Sequence, residues 1–483
     1  MGYIYYVLEE INMSKYDVII VGAGPAGYFC AYELTKIAPE KKILLIDRGR
    51  DIHTRSCPVL EHKIAKCPIN KEGFRECHPA CSITSGFGGA GAYSDGKFNI
   101  TTEFGGWLGT YTGDKALMDL INYVDQVNLD FGATETITDP YTPKVKEIEL
   151  RAMSVGVKLL RSKVRHLGTE ENLKILSRIF MYLEDKIDMR FATKVTDIVV
   201  ENNEIKGVTL ENGETLEAEK VVLSVGREGS DWLGDILTKH NVKMSNTQVD
   251  IGVRVECNNL IMEEINTHLY EGKFVFRTSA GNTVRTFCSN PGGHVVMENY
   301  EGVVNVNGHS YNDSKLSSDN TNFALLVSHH FEDPFDKPNE YAHKVSSLAN
   351  QLSCGSVIVQ RFGDILLGRR TTKKRLKEGF TRPTLKEAVP GDLALCLPFK
   401  TMQAIVEMIQ VLDKITPGIA TEHTLLYGVE AKYYSAYPEI HNSLEVKAIK
   451  NLYVGGDGAG LTRGLAQAGA CGVYIARNIV KGE

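Results

Sequence analysis

The sequence has few features of a protein that works at a membrane or on nucleic acid. No apolar run approaches the length of a membrane-spanning helix. Lys and Arg total 54 against 60 Asp and Glu, so the formal net charge is −6 at pH 7. Nucleic acids and membrane surfaces usually call for a basic face. The N-terminus also lacks the pattern of a secretory signal. We therefore expect a cytoplasmic protein with no membrane partner, and nucleic acid is not favoured as a partner.

Composition and length are those of an ordinary globular protein. Hydrophobic residues make up 43% and charged residues 24% of the 483 positions, which argues against a disordered or fibrous chain. At roughly 150 residues per domain, this length allows two or three domains with separate cores.

The turn Gly22-Ala23-Gly24-Pro25-Ala26-Gly27 carries the densest chemical information. It follows the apolar run 16–21 and precedes the helix-like stretch 28–37. A strand, a glycine turn and a helix N-terminus in this order bind a dinucleotide pyrophosphate, because the glycines allow a tight turn and close approach of the phosphates. A second strand, 42–46, ends at Asp47, at the spacing of the acid that binds a ribose hydroxyl. The pattern predicts a nucleotide-binding βαβ unit.

Two sequence patterns alternate along the rest of the chain. The α/β pattern of the nucleotide-binding unit continues in a hairpin at 194–210 and a strand at 220–226, whereas 241–427 shows isolated β-like runs between polar loops. The end of the chain returns to the α/β pattern, with a helix from Leu465 to Val480. We therefore predict an α/β fold in two parts. A discontinuous Rossmann-like domain with a helix-covered parallel sheet spans 14–240, including a cysteine loop at 57–81, and 431–483; an α+β substrate domain with a mostly antiparallel sheet spans 241–430.

Four motifs in this order resemble those of the two-domain flavoprotein superfamily that includes glutathione-reductase-like and geranylgeranyl-reductase-like enzymes. They are GAGPAG at 22–27, Asp47, VVLSVG at 221–226 and NLYVGGDGAG at 451–460. Within it the chain is most similar to a group of poorly characterised bacterial FAD-dependent dehydrogenases. The shared strings are GFGGAGAYSDGKF at 86–98, RHLGT at 165–169, RTFCSNPGG at 285–293 and VNGHS at 306–310. The resemblance implies bound FAD, and because the sequence shows no attachment motif, non-covalent binding is expected.

The resemblance also implies which residues hold FAD. Gly22, Gly24 and Gly27 would hold the pyrophosphate and Asp47 the adenosine ribose. Asp457 would accept from the ribityl or phosphate region, and the helix from Leu465 would direct its positive end at the flavin N1/O2 side. A plain Asp-Gly turn is the alternative for Asp457. The other expected cofactor-binding residues are Pro25, Ala26, Arg48, Gly89, Ala90, Gly91, Ser94, Lys97, Val195, Gly226, Gly456 and Gly464.

Two strings depart from the look-alikes. The segment 288–293 reads CSNPGG where they tend to carry CMCPGG, and 307–310 reads NGHS where they tend to carry NGMS. Both lie in the expected substrate domain, so the resemblance supplies no substrate beyond a small organic molecule.

The chain lacks two parts that a disulphide reductase of this superfamily needs. No second GxGxxG follows a strand between 100 and 440, and no redox-active cysteine pair is recognisable beside the flavin. NAD(P)H, if used, would dock transiently. The alternatives are a protein electron donor or a substrate that is itself the reductant.

Cys57, Cys67, Cys77 and Cys81 fall within one loop. Four thiolates can hold zinc or an iron–sulfur cluster, and a cluster near FAD would provide an electron route. The spacings of ten, ten and four are not those of a standard CxxC framework. Buried free thiols or a disulfide are the alternative interpretation.

No catalytic residue stands out. His166, His294 and His309 could donate protons, and Cys288 could be a nucleophile. Each could equally be a structural residue.

Arg254, Arg285 and the basic run 369–375 could bind acidic groups. The two arginines could clamp a carboxylate or form ion pairs. The run could be a solvated surface or could bind an acidic substrate or redox partner.

The expected activity is that of an FAD-dependent dehydrogenase or reductase acting on a small organic substrate at the flavin face. The alternatives are a flavin monooxygenase, an RNA-modifying flavoprotein supported only by the basic run, and a non-catalytic electron carrier if the cysteine loop holds a cluster.

Overall fold

A computed structural model describes residues 15–58, 63, 79–94, 96–245, 248–269, 271–300, 302–309, 314–332 and 334–482. The chain divides into two compact units. Unit 1 contains the described residues of Met1–Ile137, Val164–Ser245 and Ser435–Glu483, and unit 2 those of Thr138–Lys163 and Asn246–Tyr434. The sequence predicts boundaries at 240 and 430, and residues 138–163 belong to unit 2.

The strands of the described residues are numbered in chain order. They are β1 (Tyr16–Val21), β2 (Ile43–Ile46), β3 (Lys97–Ile100), β4 (Val157–Leu160), β5 (Lys163–His166), β6 (Asp188–Arg190), β7 (Val195–Glu201), β8 (Glu204–Leu210), β9 (Thr215–Leu223), β10 (Met244–Ser245), β11 (Gln248–Asn258), β12 (Lys273–Arg277), β13 (Thr283–Asn290), β14 (His294–Tyr300), β15 (Val303–His309), β16 (Asn320–His330), β17 (Ile358–Arg361), β18 (Val389–Pro390), β19 (Leu425–Lys432), β20 (Tyr437–Pro438) and β21 (Leu452–Val454).

The helices are numbered in the same way. They are α1 (Pro25–Ile37), α2 (Gly109–Thr112), α3 (Asp114–Asp130), α4 (Pro143–Ser154), α5 (Thr169–Glu184), α6 (Ser230–Lys239), α7 (Asn259–His268), α8 (Pro338–Leu352), α9 (Phe362–Leu366), α10 (Lys373–Glu378), α11 (Phe399–Leu412) and α12 (Leu465–Lys481). Short 3₁₀ turns lie at Gly89–Tyr93, Arg227–Gly229, Ser314–Leu316 and Leu393–Leu395. None of the described helices combines the length and apolarity that crossing a bilayer requires.

Unit 1 is built on a sheet with the order β6-β2-β1-β9-β8-β7. β1 pairs in parallel with β2 and β9, and β21 also pairs in parallel with β9. Both faces of the parallel part are covered, so β1 and β2 are almost continuously apolar and buried. α1 and α12 pack closely, and the glycine at 472 makes this possible: a Cβ there would lie 2.0 Å from the Ala26 carbonyl oxygen. The predicted helix-covered parallel sheet is confirmed.

Unit 2 is built on a sheet with the order β18-β17-β19-β11-β16-β13-β12-β4. Its strand pairs are antiparallel except β17–β18. Side chains on β11 alternate between two faces. Val249, Ile251, Val253 and Val255 belong to an apolar core, whereas Asp250, Arg254 and Glu256 are buried charged residues at the intervening positions. The predicted antiparallel α+β architecture is confirmed, but its central strand carries buried charge.

Candidate functional site

The turn between β1 and α1 is held by close backbone contacts. Gly22 has φ +102°, and a Cβ there would lie 2.7 Å from the Ser224 carbonyl oxygen. A Cβ on Gly27 would lie only 1.8 Å from the Gly22 carbonyl oxygen. The Ser224 hydroxyl donates to the carbonyls of Val21 (3.1 Å) and Gly22 (2.9 Å). Strand and helix therefore approach to a distance that only glycine at 22 and 27 permits.

The N-terminus of α1 presents backbone N–H groups without a cap. Its N-cap is Gly24, Pro25 opens the helix, and the first turn contains no acid. A Cβ on Gly24 would meet only the Gly89 Cα, at 4.0 Å. The N–H groups of Ala26 and Gly27 and the helix dipole favour an anion in the open space beside Gly24.

Asp47 joins this turn to two other loops. Its Oδ2 accepts from the Ala23 N–H (2.8 Å), and its Oδ1 accepts from the N–H groups of Gly49 (2.7 Å) and Gly86 (2.9 Å). A carboxylate offers about four acceptor positions. Asp47 can therefore hold the loops in place and still accept from a ligand hydroxyl.

The glycine loop 86–91 lies against the same turn. The Gly88 N–H donates to the Ala23 carbonyl (2.8 Å). A Cβ on Gly89, where φ is +56°, would lie 3.1 Å from the Gly24 Cα, and one on Gly91 would lie 2.6 Å from Leu465 Cδ2. The loop therefore touches both the first helix turn and the start of α12.

Asp457 and α12 form the C-terminal part of the site. Asp457 Oδ1 accepts from the Thr462 hydroxyl (2.7 Å). Burial raises the pKa of the Asp457 carboxyl, and the Thr462 hydroxyl and the charges of Arg227 and Arg463 only partly oppose this. Gly464 has φ +120° and caps α12, which has no side-chain cap and no acid in its first turn. A Cβ on Gly464 would meet nothing within 4 Å.

The remaining expected cofactor residues differ in their environment. Ala90 lies exposed in the 3₁₀ turn 89–93, and Lys97 begins β3. The Ser94 hydroxyl donates to the Gly91 carbonyl (2.7 Å), and Arg48 is ion-paired to Glu228, with Nη2 and Oε1 2.9 Å apart. Val195 is buried at the start of β7, two residues after Thr193, whose N–H donates to the Asp47 carbonyl (3.0 Å).

Three polar side chains of this region were not expected from the sequence. Ser224 and Thr462 hold the turns described above. Asn172 on α5 is buried, and its Nδ2 donates to the Gly91 carbonyl (2.7 Å). Asn172 lies 81 positions from Gly91, and no local pattern indicates such a contact.

Two of the four cysteines in the proposed metal site, Cys67 and Cys77, lie outside the described residues. Cys57 is buried and Cys81 half-buried, and both are free thiols. The part of the chain that is described contains no group of three or more His, Cys, Asp or Glu placed to hold a metal. A zinc or iron–sulfur site is therefore not supported.

The weak catalytic candidates do not form a recognisable constellation. His166 is exposed at the end of β5. His294 and His309 pair across the β14–β15 hairpin, and the His294 Nε2 lies 2.8 Å from the Leu316 carbonyl oxygen. Cys288 is half-buried with φ +50°.

Both arginines considered as carboxylate clamps are ion-paired within unit 2. Arg254 Nε lies 3.0 Å from Glu430 Oε2, and both side chains are fully buried. Arg285 pairs with Asp250, which also accepts from the Tyr434 hydroxyl (2.5 Å). Burial alone would raise the pKa of Asp250, but the charge of Arg285 and the Tyr434 hydrogen bond outweigh it and lower the pKa. These contacts hold the sheet together.

The basic run 369–375 is partly structural. Buried Asp364 accepts from Arg369 Nε (2.7 Å), Arg375 Nε (3.1 Å) and the Thr371 hydroxyl (2.7 Å). This contact weakens the only support for an RNA-modifying activity, since two of the arginines serve an internal carboxylate.

We expect His329 to make the stability of unit 2 depend on pH. Burial lowers its pKa from the ordinary 6.5, despite the opposing charge of Asp250. The unfolded chain therefore binds more protons than the folded chain just below pH 6.5, so stability falls as the pH decreases through that value. We expect His329→Gln to show a smaller loss of melting temperature than wild type between pH 7.5 and about 5.5. Equal losses in the two proteins would contradict this assignment.

Two segments of the chain match known protein families. Residues 248–433 match the family described as FAD-dependent protein, C-terminal domain-like. Residues 16–135 match the pyridine nucleotide-disulphide oxidoreductase family. A protein of Clostridium beijerinckii (strain ATCC 51743 / NCIMB 8052), described as an uncharacterized protein, is 27% identical over 503 residues, covering 98% of this chain and 82% of that protein.

Solved structures show weaker likenesses. L-proline dehydrogenase from P. horikoshii has a TM-score of 0.36 and 12% identity, covering 98% of this chain and 95% of that one. Glycine oxidase from Bacillus cereus ATCC 14579 has a TM-score of 0.36 and 12% identity, covering 97% and 96%. At such TM-scores these likenesses say nothing about the substrate of this chain.

Each family match coincides with one part of the fold. The nucleotide-type match covers β1, the glycine turn, Asp47 and the loop 86–91, and the FAD-dependent match covers most of unit 2. Together, the two matches identify the chain as an FAD-dependent oxidoreductase.

Proposed function

We propose that the chain is a dehydrogenase or reductase that binds FAD non-covalently in unit 1 and acts on a small organic substrate. One structural observation supports an FAD site in unit 1. The loop 86–91 touches both the turn 22–27 and the start of α12. A Cβ on Gly226 or Gly464 would meet nothing within 4 Å, and one on Gly24 would meet only the Gly89 Cα, at 4.0 Å. Two uncapped helix N-termini beside open space suit the pyrophosphate and the flavin of one dinucleotide.

The proposed roles of the residues follow from their contacts. The N–H groups of Ala26 and Gly27 would hold the pyrophosphate, and Asp47 would accept from the adenosine ribose. Asp457 would accept from the ribityl or phosphate region. The first turn of α12 would direct its dipole at the pyrimidine edge of the flavin and stabilise negative charge there. When bound, FAD supplies the capacity to accept and release a hydride.

An external electron source is part of the proposal. The pyridine nucleotide-type match ends at residue 135, and the main sheet of unit 2 is antiparallel apart from β17–β18. A parallel βαβ unit for a second dinucleotide has no counterpart in the described part of that sheet. NAD(P)H docking transiently, a protein donor or a reducing substrate would fill this role.

An anaerobic titration tests the proposal. Purified FAD-loaded protein is mixed with NADH, NADPH and a panel of small organic substrates, and flavin absorbance is followed. We expect one reductant to bleach the flavin completely and a second compound to restore it without oxygen. Dithionite serves as the positive control. Bleaching by dithionite alone would contradict the proposal, and hydroxylated product on admission of oxygen would replace it with a monooxygenase.

A further inference from the structure

The segment 366–400 of unit 2 has a charge opposite to that of the chain. It contains nine Lys or Arg and three Asp or Glu, a formal charge of +6, whereas the whole chain carries −6. Two of these nine, Arg369 and Arg375, pair with Asp364 just outside the segment. The rest of the chain therefore carries −12. This asymmetry orients the protein in an electric field, with the 366–400 segment toward negative charge.

The same segment exposes large apolar side chains. Phe399 is 79% exposed, Leu367 66% and Leu395 62%. Leu366 beside them is half exposed. Single exposed apolar residues are common, but several in one short basic segment mark an interaction surface.

Internal contacts bring the two halves of this segment together. Gln360, which is buried, donates to the Arg369 carbonyl (2.9 Å) and accepts from the Leu393 N–H (2.7 Å). The Thr371 N–H donates to the Gly391 carbonyl (2.9 Å). The exposed loops after α9 and before α11 are therefore neighbours. We define the basic–apolar surface as Leu366, Leu367, Leu395 and Phe399 with Arg370, Lys373, Lys374 and Lys400.

In contrast to the expectation from the net charge of the whole chain, we propose that the basic–apolar surface docks unit 2 on an anionic phospholipid membrane. Lysine and arginine side chains are attracted to the negative headgroups, and the leucine and phenylalanine side chains enter the boundary between headgroups and acyl chains. Because the apolar side chains project from separate loops, they suit a fluid layer that yields around each of them. A second copy of the chain is disfavoured, since a two-fold contact would place like charges opposite each other.

Vesicle flotation of the full FAD-loaded protein tests this proposal. One set of vesicles contains phosphatidylcholine alone, and the other contains equal parts of phosphatidylcholine and phosphatidylglycerol. We expect flotation with the anionic vesicles only, and its loss when added salt shortens the screening length well below the roughly 10 Å found at 0.1 M. Leu367→Ser/Phe399→Ser should weaken binding by roughly tenfold or more, and Lys373→Glu/Lys374→Glu should abolish it.

Matched control variants distinguish docking through this surface from nonspecific adsorption to vesicles. Leu260→Ser removes a leucine of unit 2 that is 77% exposed outside the surface, and Lys115→Glu/Lys146→Glu reverses two exposed lysines elsewhere. Both should float like wild type, and all variants should retain wild-type flavin content and melting temperature. Absence of flotation, or equal weakening by the control variants, would overturn the proposal. Retention on immobilised polyglutamate without flotation would overturn it in favour of an acidic protein partner.

Discussion

Gly24→Ala is expected to give a folded protein that no longer retains FAD. Gly24 has φ −73° and ψ −176°, which alanine adopts freely. A Cβ there would meet no protein atom nearer than 4.0 Å. It would instead occupy the space next to the uncapped N–H groups of α1, where the proposal places the pyrophosphate. We expect the FAD Kd to rise roughly 100-fold, measured by flavin fluorescence, with the melting temperature of the FAD-free protein unchanged.

Gly27→Ala should fail in a different way. Its Cβ would lie 1.8 Å from the Gly22 carbonyl oxygen and 2.9 Å from the Ser224 hydroxyl, so α1 must move away from β1. We expect unit 1 to lose about 3 kcal/mol or more of unfolding free energy. Both tryptophans, Trp107 and Trp232, lie in unit 1, so tryptophan fluorescence during urea unfolding reports on this unit.

A third glycine provides the control for both variants. Gly234 lies inside α6, and a Cβ there would meet nothing within 4 Å. Gly234→Ala should therefore be neutral or stabilise by about 0.5–1 kcal/mol and should not change FAD binding. Wild-type affinity in Gly24→Ala would show that the pyrophosphate does not lie at this turn, and the proposed FAD position would be wrong.

Elements with local signals could be predicted from the sequence. The β7–β8 hairpin follows from Asn202 and Asn203, which adopt φ +51° and +59° as such a two-residue turn requires. α12 was expected from Leu465 to Val480 and spans Leu465–Lys481, because its small and apolar residues recur at helical spacing. The glycine turn before α1 is similarly local.

Contacts between distant segments could not be predicted in this way. The loop 86–91 reaches the first turn through Asp47 and Gly88, and Asn172 supports it from α5. Residues 138–163 group with unit 2 because β4 pairs with β12, more than a hundred positions later. The partners of the charged residues on β11 are distant in sequence. The sequence around Arg254 therefore could not show whether it forms an ion pair or binds a substrate.

Arg254→Met is expected to destabilise unit 2 by about 3–5 kcal/mol. The Arg254 and Glu430 side chains are both fully buried, with Nε and Oε2 3.0 Å apart. Arg254 also donates to the Cys288 carbonyl (2.8 Å) and to Asn307 Oδ1 (2.8 Å). Methionine leaves the buried carboxylate ion-paired with Lys432, 3.1 Å away. Removing one partner of a buried pair costs about 3–5 kcal/mol, since the other charge stays desolvated.

The double variant Arg254→Met/Glu430→Gln separates a structural ion pair from a substrate clamp. If the penalty comes from the uncompensated Glu430, the double variant should be more stable than Arg254→Met alone. Arg277→Met, at an exposed position on the same sheet, should stay within about 0.5 kcal/mol of wild type. Hydrogen exchange of peptides from β11 and β19 reports on unit 2 directly, because neither tryptophan lies in it. Unchanged exchange in Arg254→Met, with substrate affinity lost, would instead make Arg254 a substrate-binding residue.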